Sequence, residues 1–188
     1  MRPIQRSEIL DYVTYGEQRE AIRQSALAAK DRRRILVGDP FAFLFENRET
    51  VRYQILEMMR VEQIVKEADV VHEIETYNEL LGSGGSLCAT LLIGIEHEAE
   101  RAKKLRAWLG LLEHVYARLD DGSRITPKWD PRQVGDERLS SVQYLTFELG
   151  GQAPVAIGVD WAGQGLALEA VLSDEQRAAL QADLDEGD

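Results

Sequence analysis

The order of helical and strand-like segments constrains the fold of this 188-residue chain more than any other feature. Helical patterns dominate the first part, apart from an early hairpin formed by RILVG and FAFLFEN and a later apolar strand, LCATLLIGI. Strand-like pieces separated by turn sequences follow: VYARL, RITPKW, SSVQYLTFEL, PVAIGVDW and LALEAVL. This order predicts an α+β domain with a mostly antiparallel sheet and helices packed on one of its faces.

The helical patterns have recognisable ends and breaks. The loop GSGGS follows a helix and precedes a strand, so it is interpreted as a connector and not as a phosphate-binding loop. Ser173, with Gln176 three residues later, predicts a capping box at the start of the last helix. The other helices are expected from Ser7 to about Arg32 with an interruption near Gly16, from Glu49 to about Leu81 with a break near Ala68, and from Glu96 to about His114.

Size and charge limit the classes of protein to consider. Residues 1–188 are interpreted as one domain, because two domains of half this length would bury too little surface. The formal net charge of -11 argues against a nucleic-acid partner. The one basic run, KDRRR, is interpreted as a helix C-terminus whose cations complement the helix dipole.

The cellular location is expected to be cytoplasmic. No apolar stretch is long enough to cross a bilayer, and the first residues lack the apolar centre of a signal peptide. The single cysteine, Cys88, excludes an internal disulfide and fits a reducing compartment. It lies in an apolar strand and is predicted to pack as a small hydrophobic residue, with a reactive thiol as the alternative.

Metal and cofactor sites are not predicted. The three histidines, His72, His97 and His114, lack the spacings of helical metal motifs and are expected to be solvated. Nucleophile elbows, phosphate-binding loops, dinucleotide fingerprints and Cys-x-x-Cys pairs are all missing from the sequence.

The stretch FLFENRETVRYQILEMMRVEQ carries the candidate site. Its helical phase places Glu62 within an apolar stripe formed by Val51, Ile55, Met58, Met59, Val61 and Val65. A buried carboxylate needs a cation or several donors, and Arg34, Arg118 and Arg138 are the candidate cations. One interpretation is a structural latch between helix and sheet. The other is a functional polar groove lined by Glu46, Arg48, Arg52, Gln54, Glu57 and Glu62.

The same stretch resembles a bacterial family known as domain of unknown function three-five-zero-one. The match rests on LFENRETVRYQILEMMRVEQI, with support from YNELL, ATLLI, SSVQYLTFEL, GVDW and the closing helix, so it spans nearly the whole chain. The family has no established activity. The resemblance also implies that genes of this family lie beside rubrerythrin-like and iron–sulfur oxidoreductase genes in bacterial genomes. Such a position implies a role in peroxide or redox metabolism.

The chain departs from the family pattern at three positions. The resemblance implies His at Gln143, Arg at Thr146 and His at Trp161. Adjacent antiparallel strands would bring these positions together as a polar cluster, and this chain would then have lost both histidines of a family site. Trp161 is expected to pack and not to catalyse.

These observations favour a cytoplasmic accessory or binding protein that works with a rubrerythrin-like or iron–sulfur redox partner. One alternative is an enzyme of unknown reaction in the same groove, with Glu57 or Glu62 as the acid-base residue and Arg48 or Arg52 holding an anionic substrate. Another is a purely structural subunit.

Overall fold

The computed structural model describes residues 1–186. Five α-helices are present in that range: α1 (Tyr12–Asp31), α2 (Arg48–Val61), α3 (Glu67–Asn78), α4 (Glu98–Ala107) and α5 (Asp174–Asp185). The strands are β1 (Arg34–Val37), β2 (Phe41–Phe45), β3 (Ser86–Ile93), β4 (Val115–Arg118), β5 (Arg124–Ile125), β6 (Val142–Glu148), β7 (Ala156–Trp161) and β8 (Leu166–Val171).

The strands form two antiparallel sheets of four strands each. The first sheet has the order β1-β2-β3-β6 and the second has the order β5-β4-β7-β8. The α+β class and the antiparallel pairing are therefore confirmed, although one sheet was expected. Turn sequences predict neighbouring hairpins, whereas the division into sheets depends on distant pairs such as Cys88 with Thr146.

A single apolar core joins the two sheets. Alternate residues of β2, namely Phe41, Phe43 and Phe45, point into it, as the two-residue period of a strand requires. Helix α4 contributes Leu105, and helix α5 contributes Leu180. Because side chains alternate along a strand, Ala42 and Leu44 of β2 face the outer side of the first sheet, as do alternate residues of β3 and β6.

Helices α1, α2 and α3 enclose a second core with the N-terminal segment. Its members include Ile4, Tyr15, Val51, Ile55 and Met59. Helix α1 runs without interruption through Gly16, so the predicted break there is wrong. Asp11 caps the helix by accepting from the backbone amides of Val13 and Thr14, and this cap sets where the helix begins.

Helix α2 ends earlier than its apolar pattern predicts. Gln63 has a φ of 55°, and the amide of Ile64 donates to the Met59 carbonyl at 2.9 Å, which is the hydrogen bond of a Schellman motif. Glu62 therefore lies beyond the helix and is exposed. Val61 and Val65 are 65% and 73% exposed. The prediction that Glu62 is buried against an arginine is wrong. The helix ends at Val61, so the backbone turns away from the core at Glu62.

The basic run KDRRR lies at the end of α1, as predicted, but its residue Arg33 also makes a contact that was not predicted. Arg33 donates from Nη1 to the Ala29 carbonyl near the end of α1, so it does complement that helix end. It is also buried and forms an ion pair with Asp183 of α5. No helix within residues 1–186 is long and apolar enough to cross a membrane.

Candidate functional site

A cavity of about 470 Å³ lies between the outer face of the first sheet and the C-terminal end of α3. This volume falls within the range of small-molecule sites, roughly 300–1,000 Å³. Its wall combines a carboxylate, a thiol, a hydroxyl and three aromatic rings, contributed by Glu46, Cys88, Thr146, Tyr77, Trp129 and Tyr144.

Strand register brings three of these residues into one row. Phe45 pairs with Ala89, so the next residue, Glu46, lies beside Cys88, and its amide donates to the Cys88 carbonyl at 2.9 Å. Cys88 in turn pairs with Thr146 of β6. All three side chains project from the outer face of the sheet. The following residue, Asn47, is the N-cap of α2, which fixes the position of Glu46 at the junction of strand and helix.

Glu46 is a buried carboxylate held by two hydroxyl groups. Its exposed fraction is 2%. Thr90 Oγ1 donates to Oε1 at 2.9 Å, and Thr50 Oγ1 donates to Oε2 at 2.6 Å. No ion pair to Glu46 is present within residues 1–186. The carboxylate thus lines the cavity without a cation within 4 Å of it in the described part of the chain.

Cys88 is buried beside this carboxylate. Its Sγ lies 3.4 Å from Thr146 Oγ1. Burial raises the pKa of the Cys88 thiol, and the negative charge of Glu46 raises it further, while the contact with Thr146 and the positive charge of the N-terminal ammonium lower it. The sulfur is therefore kept as a thiol near neutral pH, which disfavours nucleophilic chemistry. The prediction of a buried cysteine is confirmed, but its position on a cavity wall was not predicted.

The outer wall of the cavity is a loop, residues 128–133, fastened to the free edge of β6. The backbone of Lys128 exchanges two hydrogen bonds of 2.8 Å with the backbone of Thr146. The side chain of Gln133 acts like a second strand residue, because it donates to the Tyr144 carbonyl at 2.9 Å and accepts from the Tyr144 amide at 2.8 Å. Attachment at both ends keeps Trp129 and Asp130 against the cavity.

The aromatic side of the cavity comes from two directions. Tyr77 belongs to α3, and Tyr144 belongs to β6. Burial raises the pKa of Tyr77, and hydrogen bonding from Gln54 of α2 acts in the opposite direction. Gln54 itself does not line the cavity.

The structure brings only part of the predicted groove together: Arg48 and Arg52 line one cavity, and Glu46 lines a different one. Glu46 lines the cavity, whereas Arg48 and Arg52 bind the N-terminal segment. Arg48 donates to the carbonyls of Arg2 and Pro3 at 2.7 and 3.1 Å and pairs with Glu8. Arg52 Nε donates to the Glu8 carbonyl at 2.8 Å. Glu62 is exposed beyond the helix end. Arg48 and Arg52 thus hold the N-terminal segment against α2.

Glu57 belongs to a separate network with α1. Arg19 forms two hydrogen bonds to its carboxylate, at 2.7 and 2.9 Å, and the hydroxyl of Tyr15 donates to Oε1. Arg60, three residues later on α2, also pairs with Glu57, at 3.4 Å. The Arg19 contact, opposed by burial and helped by the Tyr15 hydroxyl, lowers the pKa of Glu57 to about 2. Such a carboxyl is a weak base at neutral pH.

The positions that depart from the family pattern are not brought together by strand pairing. Gln143 and Thr146 lie on β6 in the first sheet, and Trp161 ends β7 in the second. Gln143 is fully buried in the core, whereas Thr146 faces the cavity on the other side of the strand. The predicted adjacency is therefore wrong. Trp161 stacks on His114, with ring centroids 4.4 Å apart.

The histidines and other metal-binding side chains are dispersed. Within residues 1–186, no three His, Cys, Asp or Glu side chains are placed to hold a metal ion together. His72 and His97 are exposed, as expected for solvated side chains. His114 is half-buried against Trp161, so the expectation of a solvated side chain is wrong at that position.

The fold and the cavity define an α+β protein with two antiparallel sheets and a buried carboxylate facing a pocket on the outside of one sheet. The chain belongs to the family described as protein of unknown function (DUF3501), whose model matches residues 3–184. This result confirms the resemblance identified from the motif around α2.

A solved structure has the same fold. It is the crystal structure of a novel protein of unknown function from Burkholderia pseudomallei K96243, determined at 1.90 Å resolution. The two sequences are 31% identical, the TM-score is 0.88, and the match covers 98% of this chain and 100% of that one. No protein with a curated description matches this chain.

Proposed function

We propose that this protein is an accessory protein that binds a small molecule in the cavity around Glu46. One observation carries the proposal: a carboxylate that is 2% exposed and has no ion-pair partner within residues 1–186 opens onto a cavity of about 470 Å³. Burying an ionised group without a cation costs several kcal/mol. A ligand that interacts with the carboxylate offsets that cost, whereas the fold alone gains little from it.

The experiment measures which metabolites the protein retains. Purified protein is incubated with a metabolite extract, separated from free solutes, and denatured, and the released compounds are identified by mass spectrometry. The wild type is compared with Glu46→Gln, which keeps the shape of the side chain, and with Glu17→Gln, which changes an exposed glutamate of α1. We expect the wild type and Glu17→Gln to retain the same compound and Glu46→Gln to lose it. Retention of no compound, or equal retention by all three proteins, would contradict the proposal.

The redox association implied by the family resemblance is a further part of the proposal. In this view the protein acts in the cytoplasm beside a rubrerythrin-like or iron–sulfur oxidoreductase. Cys88 is the only thiol of the chain, and burial raises its pKa, so electron transfer is assigned to the partner and not to this protein.

Affinity capture from the native host, followed by mass spectrometry, tests this association. We expect one redox protein to be enriched over a mock capture in every replicate. Capture of no redox protein above the mock level would count against the association, and it would leave the small-molecule proposal to be decided by the retention experiment.

A further inference from the structure

The chemistry of the cavity wall narrows the class of ligand. We infer that the ligand is an organic cation, namely a protonated amine carried on a small apolar body. This inference rests on the proposed function, because it concerns the same cavity. It draws on three properties of the described residues: the hydrogen-bonding state of Glu46, the sign of the charges around the cavity, and the aromatic rings of its wall.

The carboxylate oxygens of Glu46 can accept further hydrogen bonds, so a ligand beside them has to supply hydrogen-bond donors. Each of its oxygens accepts one hydroxyl, from Thr90 at 2.9 Å and from Thr50 at 2.6 Å. A carboxylate offers about four lone-pair sites, so two remain for a ligand. A neutral hydroxyl ligand would supply one donor and no charge. A protonated amine supplies up to three N–H donors together with the missing positive charge, and charge-assisted hydrogen bonds of this kind are roughly twice as strong as neutral ones.

The other charges around the cavity also favour a positively charged ligand. Lys128 is the one basic residue lining this cavity, and its ammonium group lies 2.6 Å from Glu148, outside the lining residues. Asp130 is engaged by Arg132, and Glu79 is exposed at the end of α3. Among the residues that line the cavity, no cation is therefore free to face an anionic ligand. The N-terminal ammonium of Met1 is not among them and donates to the Gly82 carbonyl at 2.7 Å. The formal charge of -11 also attracts cations to the molecule and repels anions.

Three aromatic rings complete the site. Tyr77, Trp129 and Tyr144 line the cavity together with Glu46. The face of an aromatic ring attracts a cation, and the attraction is stronger where water is excluded. The same rings provide apolar contact for a hydrocarbon body. In an alkylamine or arylalkylamine, the ammonium group would therefore bind the Glu46 carboxylate, and the hydrocarbon part would contact the aromatic rings.

Matched probes test the charge preference without any mutation. Isothermal titration calorimetry at pH 7 compares 2-phenylethylammonium with 2-phenylethanol and 3-phenylpropanoate, and n-butylammonium with n-butanol and butyrate. We expect the ammonium member of at least one set to bind about tenfold more tightly than the alcohol, and the carboxylate to bind more weakly than either. Because all probes are compared on the wild-type protein, a folding defect in a variant does not affect this result.

Variants then assign the preference to Glu46. Glu46→Gln should weaken ammonium binding about tenfold and leave alcohol binding unchanged, whereas Glu17→Gln should change neither. An alcohol or carboxylate that binds as tightly as the ammonium would overturn the inference. If a metabolite is still retained through Glu46 in that case, the proposed function stands alone. If no probe binds at millimolar concentration, the inference is overturned. If no metabolite is retained either, the proposed function is overturned with it.

Discussion

Arg33 and Asp183 form a buried, two-point ion pair that connects residues 150 positions apart. Nε donates to Oδ2 at 2.7 Å and Nη2 donates to Oδ1 at 2.8 Å. Asn47, the N-cap of α2, also donates to Oδ1, at 3.3 Å. The start of the first sheet, the last helix and the helix after Glu46 therefore meet at one carboxylate.

Replacing Asp183 should destabilise the protein strongly. Asp183→Asn removes the counter-charge and leaves the Arg33 guanidinium buried, at a cost of about 3 kcal/mol in the free energy of unfolding. Asp160→Asn is the matched control, because Asp160 pairs with Arg124 at 2.8 Å but both side chains are 50% exposed. Urea denaturation at pH 7 measures both variants. Similar midpoints for the two would contradict the assignment of Arg33–Asp183 as the main polar link of the fold.

Glu57 should make stability depend on pH. Its pKa is lowered from 4.5 to about 2, mainly by Arg19, so the ionised form stabilises the folded state. This stabilisation is complete above about pH 4.5 and is lost as the pH falls toward 2. Glu57→Gln should therefore lower the free energy of unfolding at pH 7 by on the order of 2 kcal/mol, after allowance for solvent screening.

The difference between the wild type and Glu57→Gln should narrow steadily between pH 4.5 and pH 2, as measured by urea midpoints at several pH values. Glu62→Gln is the control, since this side chain is exposed at the end of the same helix and should shift the midpoint at pH 7 by less than about half a kcal/mol. A difference for Glu57→Gln that does not change with pH would be inconsistent with the network.

The end of α2 offers a stabilising substitution. Gln63 adopts a φ of 55°, a conformation that costs a non-glycine residue roughly 1 kcal/mol. Gln63→Gly should raise the free energy of unfolding by about 0.5–1 kcal/mol, because glycine adopts this conformation freely. Glu75→Gly, at an exposed position inside α3, should instead lower it by about 1 kcal/mol. Thermal denaturation of both variants checks the opposite signs.

Local signals predicted much of the fold. The hairpin of β1 and β2, the positions of the late strands and the capping box at Ser173 follow from short-range patterns, and each is present, although the strand predicted from RITPKW is only Arg124–Ile125. The end of α2 was missed because Gln63, and not glycine, occupies the left-handed position. A helix end is usually recognised from a glycine or asparagine at the left-handed position. A glutamine there gives no indication that the helix ends.

The candidate site was predicted only in part, for a different physical reason. Glu46 was among the candidate residues, but Cys88, Tyr77 and Tyr144 reach the cavity from separate strands and helices. Their proximity depends on the pairing of β2 with β3 and of β3 with β6. The helical phase of α2 correctly predicts that Val51, Ile55 and Met59 are buried, but it fails from Val61 onward. It also cannot show that Arg48 contacts the N-terminal segment while Glu57 contacts α1.

The free energy of unfolding of Glu46→Gln, measured by urea denaturation of ligand-free protein at pH 7, tests most directly whether Glu46 serves a ligand or the fold. A glutamine keeps an acceptor and a donor for Thr50 and Thr90 and removes a buried charge that has no ion-pair partner within residues 1–186. We predict an unchanged or higher free energy of unfolding, by up to about 1 kcal/mol, as expected where a charge is kept for binding at a cost to stability. A decrease of about 2 kcal/mol or more would show that the carboxylate holds the fold together and would contradict its assignment as a ligand-binding group.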